Sequence, residues 1–79
     1  MPVFFTHLHN GHGYQIDVDG ADFPTLDAVQ AHVVRAGADI LAEEIKEGCR
    51  RVQLTFHIED EQHNWLMEVP MSASVEIEI

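Results

Sequence analysis
The side chains with the most chemical capacity are the histidines near the start of the chain. His7, His9 and His12 form a His-x-His-x-x-His pattern. Alternate residues of a strand share a face, so His7 and His9 can reach one metal ion, with His12 arriving from the following turn. A structural zinc site calls for a fourth ligand and commonly includes Cys. The pattern supplies neither, so the expectation is solvated imidazoles at a hairpin end, with no bound metal or other cofactor. His32 and His57 read as single polar-face residues and His63 as a loop residue.

The remaining reactive types lack the company they need. Asp17 and Asp19 precede Gly20, a faint likeness to a calcium loop, but the full EF-hand ligand pattern is missing and the segment reads as a turn. Glu59-Asp60-Glu61 reads as a solvated hairpin tip. Cys49 is the only cysteine and has no partner for an internal disulfide. It follows a helix C-terminus, where the dipole disfavours a thiolate, so it reads as structural and not reactive. No serine lies in a nucleophile elbow, and there is no phosphate loop or dinucleotide fingerprint. No catalytic or cofactor-binding residue is therefore expected, and the chain reads as non-enzymatic.

Size and charge narrow the classes further. The 79 residues make one small domain, 1–79. A chain of this length buries only about 60% of its unfolded surface, so a partner subunit would help it. The 14 acidic and 4 basic residues give a formal charge of −10. Phosphate binding needs Lys or Arg clusters, and the only basic cluster is Arg50–Arg51, so direct nucleic-acid binding is not expected. A basic protein partner is compatible with the charge. No membrane span or signal peptide is read, and the cytoplasm is the default expectation.

One stretch must organise the rest. Thr25 to Lys46 is long and periodic enough for a helix, with Leu26, Val29, Val33, Ala36, Gly37, Ile40 and Leu41 on one face. Thr25 suits the N-cap, Asp27 the first turn, and Gly48 a left-handed C-cap. Ala28, Ala31, Ala38 and Ala42 make a second stripe of small residues, read first as a solvent face and second as a close-approach surface.

The flanks read as strands. Val3 to His9 alternates Phe4, Thr6 and Leu8 against Val3, Phe5, His7 and His9. Asn10 to Gly13 is a turn, and Tyr14 to Val18 closes a hairpin. After the helix, Arg51 to Glu59 alternates cleanly, with Val52, Leu54, Phe56 and Ile58 on the dry face. Trp65 to Val69 follows and is expected to stop at Pro70. Val75, Ile77 and Ile79 offer an optional last edge strand or a frayed tail. The predicted class is α+β: a two-layer β-β-α-β-β domain, with an antiparallel sheet of four or five strands and one long helix on one face. A right-handed crossover places the strand after the helix beside the first, giving sheet order 2-1-3-4. The helix is expected to sit on Phe4, Leu8, Ile16, Leu54 and Phe56.

Several short segments are familiar together: Met1-Pro2-Val3-Phe4-Phe5, Asp17-Val18-Asp19-Gly20, Pro24-Thr25-Leu26-Asp27-Ala28, the Gly48 break, Glu59-Asp60 and Val69-Pro70-Met71. With these the chain resembles a family of short bacterial proteins of unknown function that open Met-Pro-x-Tyr-Phe-Phe and close near Val-Pro-Phe or Val-Pro-Leu. The shared marks are turns, caps and core positions, and the resemblance implies no activity. The chain departs from the family at His7, His9 and His12, and it lacks the usual Gly in the Asp60 hairpin. A second resemblance is to the N-terminal domain of HicB-type antitoxins, carried by Asp17 to Gly20 and Thr25 to Ala28. The DNA-binding segment that such antitoxins often append has no counterpart in these residues.

These observations lead to an expected small interaction module that works as a homodimer. Val3, Phe5, Trp65 and Met67 are the interface candidates, because one helix cannot cover both faces of the first strand. The alternatives are an antitoxin-like subunit that binds a basic protein, and a metal-binding protein built on His7, His9 and His12.

Overall fold
The helix α1 runs over Leu26–Lys46, and both ends are fixed by local chemistry. Thr25 is extended, and its hydroxyl accepts the Ala28 N–H, satisfying one of the first-turn amides left without an intrahelical partner. At the other end Gly48 takes φ +105°. Its N–H donates to the Ile45 carbonyl, and the Cys49 N–H donates to Glu44. This paired reach-back is a Schellman termination, and the left-handed residue it needs is glycine. No helix is long and apolar enough to cross a membrane.

The computed structural model describes residues 1–79. Its strands are β1 (Val3–His9), β2 (Tyr14–Gln15), β3 (Ala21–Asp22), β4 (Arg51–Glu59) and β5 (Trp65–Ser74). The sheet order is β2-β1-β4-β5, with β3 also paired to β1, and every pair is antiparallel. This is the expected two-layer arrangement with one short strand added. The helix lies on one face, over β4 and β5.

The core is small. Phe4, Leu54, Phe56 and Ile58 from the sheet meet Val29, Val33 and Leu41 from the helix. Leu8, Leu26 and Ile40 pack against this cluster from partly buried positions. Gly37 is buried against the sheet, beside Met71 and Phe56. A Cβ there would run into the Met71 sulfur and lie 3.1 Å from the Phe56 ring, so the absence of a side chain sets the approach. Phe23 also packs against the core, with its ring edge-on to Phe4.

Three expectations are corrected, each by a contact distant in sequence, and one open alternative is decided. The second strand ends at Gln15, not Val18, and Ile16 is 63% exposed instead of lying under the helix. Asp17 causes the break. Its carboxylate accepts the Thr6 and Gly20 N–H groups, and its own N–H donates to His7 Nδ1. These bonds replace ladder pairing between β2 and β3. The strand at Trp65 continues through Pro70 to Ser74. It pairs only with β4, so alternate amides face solvent, and a proline at such a position costs the ladder nothing. Val75, Ile77 and Ile79 lie beyond the last strand and are exposed. Finally, a register shift sets Met67 opposite Ile58 but Trp65 opposite Glu59. Leu66 is the extra residue of this bulge. Trp65 therefore turns to the outer face, while Met67, expected beside it, packs against the core.

Leu54 is 2% exposed at the centre of the core. Leu54→Ala should cost about 2–5 kcal/mol in chemical denaturation, the range for a deleted core leucine. A loss below about 1 kcal/mol would place the residue outside the core.

Candidate functional site
The face of the sheet away from the helix carries the polar chemistry of the chain. Alternation puts Phe5, His7 and His9 of β1 on it, together with Thr55, His57 and Glu59 of β4. Register then brings distant residues into rows. His7 stands opposite His57, and His57 opposite Glu68; Phe5 stands opposite Glu59, and Glu59 opposite Trp65.

Glu59 is the hub. Its Oε1 lies 2.9 Å from His7 Nε2 and 3.1 Å from His63 Nδ1, and its Oε2 lies 3.3 Å from His57 Nε2. The carboxylate is held below the usual carboxylate range, first by the His7 hydrogen bond and then by that of His63.

His7 is 6% exposed, which corrects the expectation of a solvated imidazole. The backbone decides its tautomer. The Asp17 N–H can only donate, so Nδ1 must present its lone pair. The ring proton then sits on Nε2 and is donated to Glu59. Both nitrogens are engaged, and neither keeps a lone pair for a metal.

His63 is presented by the loop between β4 and β5. Asp60 builds that loop: its carboxylate accepts the Gln62 and Asn64 N–H groups and the Asn64 side-chain amide. These bonds, Asn64's backbone N–H first, hold the Asp60 carboxyl below its usual range. His63 takes φ +65°, the left-handed conformation that glycine adopts freely. The cost for a side-chain-bearing residue is about 1–2 kcal/mol. Its ring stacks on Phe5 with centroids 4.4 Å apart and bonds Glu59, and these contacts offset the strain.

The three histidines singled out by spacing do not converge. His9 is exposed with its ring 6.0 Å from Tyr14. His12 is in the exposed turn built on Asn10 and lines a groove with Ile40, Glu44 and Cys49. No group of three or more His, Cys, Asp or Glu side chains is placed to hold a metal ion. The cluster that does form, His7, His57, His63 and Glu59, was missed because its members come from three segments. The i, i+2 placement of His57 and Glu59 on one strand face was the available signal.

The other named residues fall as follows. Val3 and Phe5 are half-buried, and Trp65 is 59% exposed with its ring edge-on to His57. Cys49 is exposed and not packed; its thiol is pushed up by a hydrogen bond to Glu44, then by the charges of Glu44 and Glu47. Asp17 serves the turn and the edge of β1, as a turn residue should.

The cluster makes stability depend on acid. A carboxyl lowered in the folded state contributes fully above its unfolded value and loses that contribution as pH falls through the lower folded value. Glu59 should therefore stabilise the fold in full above about pH 4.5 and progressively less below it, with Asp60 acting in the same direction. Denaturation midpoints taken against pH should show this fall, and Glu59→Gln should flatten it. An unchanged pH profile in Glu59→Gln would remove Glu59 from that role.

No curated protein and no solved structure matches the chain. A family sequence profile does, over residues 3–72, a span that holds the helix, the whole of β1 to β4 and the Glu59 cluster. The chain belongs to the family described as a domain of unknown function, DUF6894.

Proposed function
We propose that the protein is a non-enzymatic interaction module that works as a homodimer through the outer face of its sheet. The observation that carries this reading is Trp65, 59% exposed on a face that the helix does not cover. Large aromatic rings at the surface are the usual anchors of protein contacts. Tyr14, 53% exposed, and half-buried Phe5 extend the same surface. The chemistry-bearing groups beneath it are turned on one another, with the Glu59 carboxylate shared among imidazoles. A second copy fits because a two-fold contact uses one patch twice. The free edge of β5 is a weaker candidate, since Pro70 interrupts its row of donors.

The charge of −10 favours a second reading, an antitoxin-like subunit that neutralises a basic protein. The Asp17–Gly20 turn and the Thr25–Ala28 helix start, which resemble HicB-type antitoxins, support it.

Light scattering across the micromolar range tests the first reading. The expected result is a dimer mass that falls to the monomer mass in Trp65→Glu, with the far-ultraviolet dichroism unchanged. A wild-type monomer at all concentrations would sink the homodimer and leave the basic partner.

A further inference from the structure
We propose that the dimer is held by a reciprocal contact in which Arg51 of one copy seats on the Trp65–Glu68 corner of the other. This rests on the reading of the outer face as a dimer surface, and it specifies how the two copies are oriented.

The outer face has two unlike ends. Trp65, Glu68 and Glu59 lie at one end of the β4–β5 ladder. Arg51, opposite Ser74, lies at the other. Between them the outer positions are Gln53 and Thr55 on β4 and Pro70 and Ser72 on β5, all uncharged. Arg51 is exposed, and it is separated from His57 by about 20 Å of extended chain, too far to serve the acidic end of its own sheet.

At the acidic end one carboxylate is shared by three imidazoles and the other is mostly exposed, with one long contact to His57. Glu59 is shared by His7, His57 and His63. The Glu68 side chain is 56% exposed, and its Oε1 lies 3.7 Å from His57 Nδ1, too long for a hydrogen bond. Trp65 meets His57 edge-on, which leaves the rest of its ring available for stacking. An open indole beside an exposed carboxylate suits a guanidinium, which stacks on aromatic faces and donates in pairs to carboxylates.

Two-fold symmetry brings these ends together. An axis lying between the sheets, perpendicular to β4 and crossing it near Thr55, reverses the strand direction of the second copy. Arg51 of each copy then reaches the Glu59 row of the other, where Trp65 and Glu68 stand on the adjacent strand within reach of its side chain, and the neutral centre packs on itself. The opposite orientation would set like charges against each other. The contact therefore pairs opposite charges locally although each chain is acidic overall.

A charge-swap experiment decides it, read by sedimentation equilibrium of the full chain. Arg51→Glu and Glu68→Arg should each weaken the dimer by about tenfold or more, because each change enters the interface twice. Mixing the two single variants should restore a dimer, since every contact then pairs opposite charges. The double variant should also dimerise. Glu43→Gln, an exposed change on the helix, should leave the dimer intact and controls for overall charge. A wild-type dimer indifferent to both reversals, or single variants that stay apart when mixed, would overturn the contact while leaving the homodimer standing. A monomeric wild type would overturn both.

Discussion
One helix can cover one face of a sheet, and this chain has one helix. Everything on the outer face follows from that constraint. On the covered side the solution is ordinary: Val29, Val33 and Leu41 fill the hollow over Leu54, Phe56 and Ile58. On the uncovered side there is no apolar layer to exclude water. Yet His7 is buried there, and Phe5 is half-buried. Their cover comes from the neighbours beside and above them, Tyr14, His63 and the turn at Asp17.

A polar cover works only if its hydrogen bonds close, because a buried donor or acceptor without a partner costs about 1–3 kcal/mol. Here they close. No buried side-chain nitrogen or oxygen lacks a partner. Asp17 bonds the backbone at Thr6 and Gly20 and the ring of His7, and Glu59 ties the network to β1, β4 and the loop after β4. Asp17 thereby settles the orientation of the His7 ring, and that ring in turn sets one hydrogen bond of Glu59. The same residue stops β2, so one aspartate shapes the edge of the sheet through its carboxylate and the chemistry of its face through its backbone N–H.

The network also explains why the most suggestive sequence pattern does not come together in space. Spacing places His7 and His9 on one face, and the structure agrees. Burial then separates them: His7 spends both nitrogens on protein partners, while His9 stands at the exposed strand end. The open part of the face lies elsewhere. Trp65 and Glu68 remain exposed there, and both owe their place to β5, where the bulge turns Trp65 outward.

What the sequence determined by itself is the part of the structure governed by near neighbours. Thr25, Asp27 and Gly48 mark the ends of the helix within a few residues, and the apolar spacing between them names its buried face. The alternation of Val52, Leu54, Phe56 and Ile58 likewise names the inner face of β4 from side-chain period alone. The class, the order of elements and the family likeness all rest on such local signals. Tertiary structure alone decided the rest. The His7–Glu59 bond joins residues 52 apart in sequence. It depends on the register between β1 and β4, and no propensity of either strand specifies that register. The bulge after Ile58, which parts Trp65 from Met67, and the left-handed His63 are likewise set by how two strands and a loop meet. A one-residue change of register sends a side chain to the opposite face, so the site could be read only once the strands were paired.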